Sequence, residues 1–535
     1  MLNKEKPYIS AQSLLSGKKV AVEYTDPNPF KEFHLGHLYS NVIGESIARL
    51  FEACGATVWR GDFYGDVGMH VAKSVWGMMK KMREDKITLI DLEKLPLNER
   101  QAFLGKGYAL GVVKYDEDEQ TQKEIKDINL LIYIAGQKIL KKTKGWQPII
   151  NYRQYLKGDE DKLREISKIY EAGLKWSLEY FETIYKRLGT KFDGYYPESW
   201  VGEYGIKIVE KGLKLGVLEK TEGVVVYRGE KDGLHTRVFV NKLGLPTYEA
   251  KDLGLAYAKN QDFKYDLSIN VFGKEIDEYY KVVRAAMIQI EPDLGKKADY
   301  IAHGMVKLPE GKMSSRTGNV VTYEWLMEEA KKYALKIMTS KDFNEQEKQR
   351  VAGSVGAGAV RYALLKNNIG NDIIFDFEKS ISLEGNSGPY LQYSYARCRS
   401  VLRKVKNESI VVLAIPVIPA KAGIQNLLDP RVKPEDDKLF SCSVSQLAPE
   451  ELALLRTLYK FPEVILEAVK NFAPNLLCNF LYDLAQKYNL FYDKHPILKA
   501  ETSELVIFRL GLTEATGKTI KTGLELLGIQ APERM

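Results

Sequence analysis

Residues 18–62 read as strand, turn, helix and strand in succession, and this pattern narrows the available folds more than any other part of the chain. KKVAVEYT (18–25) alternates β-branched and polar residues as a strand does. A turn holding Pro27 and Pro29 leads into HLGHLYSNVIGESIARLFEACG. There Ile43, Ile47, Leu50, Phe51 and Cys54 recur at three- and four-residue steps and predict an amphipathic helix. Gly55 stands where a helix stops, and ATVWRGD resumes as a strand. Together they form the βαβ unit of a parallel α/β sheet.

From residue 76 to 200 the texture changes. Lys, Glu and Tyr recur at helical spacing, as in YEAGLKWSLEYFETIYKRLG, and predict helices inserted into the sheet's topology. Strand-like runs return at VVVYRG, RVFVNK and DLSINVFG, followed by the helical EIDEYYKVVRAAMIQI. The α/β domain is therefore read as split. Past 340 the strand pattern ends. QRVAGSVGAGAVRYALLK, YLQYSYARCRSVLRKV, ELALLRTLYKFPEVILEAVK and NLLCNFLYDLAQKYNLFYDK predict a helical bundle. Pro416, Pro419, Pro430 and Pro434 crowd an aperiodic stretch, which reads as a loop inserted at 412–438.

At roughly 150 residues per domain, 535 residues suit three or four domains. The division read here is 1–75 for the first half of the α/β domain and 76–200 for the insertion. Residues 201–340 make its second half and 341–535 the helical domain. A hydrophobic fraction of 45% with 28% charged residues excludes a disordered or fibrous chain. No apolar run reaches the roughly 18 residues of a membrane span, so no membrane partner is expected. Cys54, Cys398, Cys442 and Cys478 form no C-x-x-C pair, against a disulfide framework or zinc site and for a cytoplasmic location. The net charge of +7 permits a polyanionic partner without demanding one.

Two constellations carry chemistry. His34-Leu35-Gly36-His37 opens the first helix where strand one ends, at the edge of the sheet where ligands bind. A helix N-terminus presents unpaired N–H groups to an anion, imidazoles donate to phosphate oxygens, and Gly36 lets a flat base approach. Alone, such a motif is more often just the start of a helix. Far downstream, Gly311-Lys312-Met313-Ser314-Ser315-Arg316-Thr317-Gly318 puts two cations and two short donors on a glycine-flanked loop. That suits a triphosphate whose leaving pyrophosphate gains charge, although a lone basic loop is usually just solvated.

H-x-G-H at the head of a split α/β domain, with K-M-S-S-R beyond its second half, resembles the class I aminoacyl-tRNA synthetases. Glu23-Tyr-Thr-Asp-Pro-Asn28-Pro-Phe-Lys31-Glu-Phe-His34 resembles the arginyl pattern E-[FY]-[ST]-x-P-N-x-x-K-x-x-H. Further matches are Gly65-Asp66-Val67-Gly68, Tyr248-Glu-Ala-Lys-Asp252, Gly385-Asn-Ser-Gly-Pro-Tyr-Leu-Gln-Tyr393 and the closing LGLTEATGKTIKTGLELLGIQAPERM. The resemblance covers the chain from about residue 18 to 535, the proline-rich insertion apart.

It implies a Rossmann-type parallel-sheet catalytic domain with a helical insertion, followed by an all-α anticodon-binding bundle. It implies ligation of L-arginine to tRNA(Arg) through an arginyl-adenylate, with ATP and Mg²⁺ and no zinc. His34, His37, Lys312, Arg316 and Lys31 map onto catalytic positions. Gly36, Met313, Ser314 and Ser315 join the two histidines around the nucleotide. Glu23, Asn28, Tyr248 and Asp252 map onto the amino-acid pocket, and no residue maps onto a protein-held metal. Carboxylates suit a guanidinium, which is planar, permanently charged and rich in donors. Taken singly, Glu23 reads as an edge-strand carboxylate facing solvent and Lys31 as a solvated turn residue. Lys31 gains meaning beside Arg316, because arginyl enzymes lacking the second loop lysine carry a lysine three residues before the first His. In the bundle, Arg397, Arg399, Arg403 and Lys404 lie among Tyr390, Tyr393 and Tyr395, a mixture suited to phosphate and unpaired bases.

Departures from the family also stand in the sequence. Arginyl enzymes usually carry an N-terminal domain of roughly a hundred residues, a common domain size, before the first catalytic strand; here that strand begins near residue 18, which is expected either of a reduced enzyme or of a start internal to a longer gene. Ile276 and Tyr279 stand where many relatives have Gln and His, and Asp62 and Phe63 replace Asn-His. A monomer is the expectation. The alternatives are a non-catalytic tRNA-binding paralogue, disfavoured by intact His34, His37, Lys312 and Arg316, and a cysteinyl- or glutamyl-type enzyme. The missing zinc set disfavours the former of those two types, and Glu23 with Asp252 the latter.

Overall fold

The computed structural model describes residues 14–145, 148, 151–156, 158, 160–308, 321–338, 343–407 and 447–535. Two units emerge: a sheet unit of Lys19–Gly44 with Val58–Tyr323, and a helical unit of Met1–Lys18, Glu45–Thr57 and Glu324–Met535.

The sheet unit is built on five strands: β1 (Lys19–Glu23), β2 (Thr57–Tyr64), β3 (Gly194–Pro197), β7 (Leu267–Gly273) and β8 (Ala298–His303). Their order is β3-β2-β1-β7-β8, and the β2·β3, β1·β7 and β7·β8 pairs run parallel. Buried Val20, Ala21 and Val22 place β1 in the interior of the sheet, as its near-continuous apolar run requires. The expected helix after β1 forms over Leu35–Ala53.

Between β2 and β3 lie long helices at Met69–Glu84, Leu97–Glu117, Glu119–Lys144 and Glu160–Leu188, with their own core around Trp76, Leu104, Ile132, Ile166 and Trp176. The helical region thus begins before residue 76 and ends before 194. β3 belongs to the sheet, although four residues, GYYP, are too few to show alternation in sequence. The valine-rich runs also take a different place from the one expected. β4 (Glu219–Thr221), β5 (Val224–Tyr227) and β6 (Arg237–Val240) form a separate antiparallel sheet between the helices Glu198–Lys214 and Tyr248–Asp262. Those two helices cross closely at Gly205 and Gly254. A Cβ on either would lie 1.9 Å from a carbonyl oxygen of the other helix, so glycine is required at both crossings.

In the helical unit, helices span Glu345–Leu365, Gly388–Asn407, Pro449–Tyr459, Phe461–Lys470, Pro474–Lys494 and Ser503–Leu526. The single periodic run ELALLRTLYKFPEVILEAVK becomes two helices because Pro462 cannot donate within a helix and starts a new one instead. The proline-rich stretch 412–438 lies outside the described residues. No helix of the described residues is long and apolar enough to cross a membrane.

Candidate active site at the sheet switch point

Counted in chain order, the five strands run 3-2-1-4-5, so the winding direction reverses between β1 and β7. Ligands of such sheets bind in the crevice beyond the carboxyl ends of the strands at this reversal. Glu23 ends β1 there, and its Cα partner is Asn270 of β7. The loop that follows carries three non-glycine residues in the left-handed region: Thr25 (φ 87°), Asp26 (φ 47°) and Phe30 (φ 68°). Each costs about 1–3 kcal/mol and persists only where its surroundings hold it. Here Thr25 N–H donates to Ser40 Oγ at 3.0 Å, and Asn41 Nδ2 donates to Thr25 Oγ1 at 2.9 Å. Phe30 N–H donates to Ser177 Oγ at 2.9 Å. The loop is therefore fixed where it delivers Asn28, Lys31 and His34 to the crevice.

The two histidines stack with ring centroids 3.6 Å apart. Gly36 N–H donates to His34 Nδ1 at 3.1 Å, and His34 N–H points at His37 Nδ1 at 3.4 Å. A Cβ on Gly36 would press on the His34 ring at 3.0 Å, so the bare glycine lets that ring fold over the helix start. Burial pushes His34 down to about 4 and holds His37 well below the usual imidazole range, with the Lys31 charge adding to both. Both rings are therefore neutral near pH 7. With Nδ1 accepting, the proton sits on Nε2, which makes each ring a neutral donor.

Around the end of β1 gathers a floor of acidic side chains. Glu23 is 3% exposed and β1 is an interior strand, so the edge-strand reading of Glu23 is wrong. Lys259 Nζ donates to Glu23 Oε2 and, at 2.9 Å, to Asn270 Oδ1. Asp26 and Asp62 join this floor, both raised by burial, Asp62 to about 8. Tyr185 donates to Asp62 Oδ2 at 2.8 Å. Tyr248 and Asp252 lie in the first turns of the helix Tyr248–Asp262, as their spacing predicts. Tyr248 is exposed, whereas burial pushes Asp252 up to about 8, with Glu23 and Glu249 adding to it. Tyr279 donates to Asp252 Oδ2. Asn28 Oδ1, Glu198 Oε1 and the His70 ring converge on Gly65, each within 3.1 Å of where a Cβ would stand. Glu198 also takes a hydrogen bond from buried Lys251 at 2.5 Å.

Lys31 reaches toward the inserted helices. Its ammonium lies 4.3 Å from the centre of the Tyr108 ring, and its carbonyl accepts from Gln101 Nε2 at 2.5 Å. Both partners come from the inserted helix Leu97–Glu117, so the insertion helps build the site. Lys312, Met313, Ser314, Ser315 and Arg316 lie outside the described residues. The segment after them is placed: Val321 O accepts from Leu35 N–H at 3.2 Å, and Tyr323 N–H donates to Phe33 O at 2.9 Å, on either side of His34.

Lys259, Tyr108, Glu198 and Lys251 were missed by sequence reasoning, and Tyr279 was read only as a departure from the family. For Lys259 a signal existed: it stands seven residues after Asp252, on the same helical face, in the apolar run LGLAYAK. The others depend on contacts between distant segments, which spacing does not reveal.

Residues 1–377 match the family described as class I tRNA synthetases (R), catalytic domain, and 391–535 match the DALR anticodon binding domain. The chain belongs to the class I arginyl-tRNA synthetases. It is 31% identical to an arginine–tRNA ligase of Flavobacterium psychrophilum over 97% of this chain and 80% of that protein. It is 30% identical to that of Phocaeicola vulgatus over 96% and 80%. Its fold is shared with the arginyl-tRNA synthetase structures of Thermus thermophilus and Plasmodium falciparum. The first has TM-score 0.72 and 24% identity over 97% of this chain and 83% of that one. The second has TM-score 0.69 and 20% identity over 98% and 78%.

In the DALR part of this synthetase, the basic and aromatic residues divide into two groups. Tyr395 is buried and donates to Glu533 Oε1, while Arg399 and Arg403 bind the Glu533 carboxylate and carbonyl. These three tie the chain's end to the bundle. Arg397 instead lies between the Tyr393 and Tyr492 rings, 5.0 and 4.9 Å from their centres, and donates to Asn489 Oδ1 at 2.8 Å.

Proposed function

We propose that this chain joins L-arginine to tRNA(Arg) in two steps, with ATP taken as its Mg²⁺ complex. The observation that carries the reading is one crevice with two chemistries. Neutral, pre-aligned imidazole donors and Lys31 stand at a helix N-terminus, and carboxylates gather at the end of β1 and on the helix Tyr248–Asp262. The first suits a triphosphate and the second a guanidinium.

A carboxylate oxygen of arginine attacks the α-phosphorus of ATP in line, the bond from that phosphorus to the α,β-bridging oxygen breaks, and pyrophosphate leaves with the electron pair. A hydroxyl of the tRNA's terminal ribose then attacks the activated carbonyl, and AMP leaves. His34 and His37 donate to phosphate oxygens through Nε2–H, and the adenine lies over Gly36. Lys31, Lys312 and Arg316 offset charge on the departing pyrophosphate, with Met313, Ser314 and Ser315 on the same loop. Glu23, Asn28, Tyr248 and Asp252 receive the arginine. Mg²⁺ would arrive held on the ATP phosphates. The Arg397 stack offers a platform for an unpaired anticodon-loop base. No editing step is required, because a polar pocket built for a multi-donor side chain rejects analogues lacking it.

Charging of total tRNA with each of the twenty labelled amino acids tests this. Arginine alone should become acid-precipitable, and ATP–pyrophosphate exchange should require tRNA. Charging of another amino acid, or of none, would refute the reading.

A further inference from the structure

We propose that Tyr279 positions Asp252 for the arginine guanidinium, through the hydrogen bond that its hydroxyl donates to Asp252 Oδ2. This rests on the reading of Asp252 as an arginine ligand. From sequence, Tyr279 stood out only as a departure, where many relatives have His. In the structure its hydroxyl is committed to the amino-acid side, and its neighbour Ile276 is exposed.

The surroundings of Asp252 make this bond consequential. The titratable and charged groups acting on it are Glu23 from β1, Glu249 and Lys259 from its own helix, and Tyr279 from the helix Asp277–Ile290. Glu23 and Glu249 disfavour its charge and Lys259 favours it, but Lys259 is committed to Glu23 and Asn270. Arg237 lies 5.8 Å from the centre of the Tyr279 ring and pairs with Glu249 at 3.8 Å, not with Asp252. Among the described residues no cation forms an ion pair with Asp252. The Tyr279 hydroxyl is its direct hydrogen-bond donor, and it stabilises the charged form that a guanidinium needs. A carboxylate has about four acceptor positions. Tyr279 uses one on Oδ2, and Oδ1 has no hydrogen-bond partner among the described residues. That leaves room for two parallel N–H donors from the substrate.

Steady-state aminoacylation of total tRNA by the full chain tests the role. Tyr279→Phe keeps the ring and removes the donor. Its arginine KM should rise about ten-fold, within the range for hydrogen bonds to charged groups, while the ATP KM stays put. The acid limb of kcat/KM for arginine should move to higher pH by about one unit, because the carboxylate becomes harder to ionise. An unchanged arginine KM and acid limb, or equal losses for arginine and ATP, would overturn the inference. If Tyr279→Phe does not fold, Tyr279→Gln, which keeps a donor, carries the test. An arginine KM within about three-fold of the parent supports the bond, and a loss of ten-fold or more overturns it. Asp252→Asn separates the two layers. If it leaves the arginine KM unchanged, the assignment of Asp252 itself fails. If it raises that KM selectively while Tyr279→Phe does nothing, only the role of Tyr279 fails.

Discussion

Replacing Lys259 by methionine removes the only cation in contact with Glu23 among the described residues, and the structure sets how much that should matter. The side chains are 2% and 4% exposed, so the pair belongs with buried ion pairs and not with surface ones. An exposed pair would be worth about 0–1 kcal/mol. Breaking a buried pair from one side costs about 3–5 kcal/mol, because the remaining charge keeps its desolvation penalty and loses its partner. Here that charge is a carboxylate close to Asp26 and Asp62, which already oppose one another, and Asn270 Oδ1 loses its 2.9 Å donor as well. The upper half of the range is therefore expected. At about 2–4 °C per kcal/mol for domains of 150–250 residues, the transition of the sheet unit should fall by about 10 °C or more. Calorimetry of the full chain measures this, with that transition recognised by its upward shift when ATP and arginine are added. Adding Glu23→Gln to Lys259→Met should restore at least half the loss, since a neutral amide no longer needs the ammonium. A fall below about 2 °C, or a double variant no more stable than the single one, would refute the account of this floor.

Asp62 predicts a pH dependence. Its folded-state value, about 8, lies above the ordinary carboxylate range, so the folded chain holds this proton more tightly than the unfolded one. Stability from this group is fully present below about pH 4 and is lost as pH rises through about 8. Urea unfolding of Asp62→Asn, which keeps an acceptor for Tyr185, should show the variant gaining on the parent between pH 5 and 8. Parallel curves would count against the raised carboxyl. The histidine geometry predicts that His34 and His37 keep the Nε2–H tautomer and stay neutral at pH 6. Long-range ¹H–¹⁵N correlation spectra of histidine-labelled protein would show this, and imidazolium shifts for either ring at pH 6 would contradict it.

What could be read in the sequence followed from local rules. The β1–helix–β2 unit declared itself through periodicities of two and 3.6, and His34, Gly36 and His37 fell at the helix mouth because a strand must turn there before a helix begins. β3 and β8 are short or lack alternation, so only pairing with neighbours makes them strands. The valine-rich runs had the right composition for the main sheet but joined another, since composition does not specify a partner. Within the site, Glu23 alone looked like a surface residue. Its meaning came from Lys259, 236 residues away in the chain, which neutralises it inside the sheet.

Tyr279 shows the same limit from the other direction. A substitution at a position where many relatives have histidine reads as a loss when only the stretch is visible. Helix Asp277–Ile290 turns that side chain toward Asp252, and the tyrosine supplies a donor that favours the charged form against burial and two acidic neighbours. Lys259 thus holds Glu23 by charge and Tyr279 holds Asp252 by a hydrogen bond. Among the described residues Asp252, unlike Glu23, has no ion-pair partner. On the proposed reading of the site, Asp252 is the one of the two that meets an incoming guanidinium without first displacing a lysine.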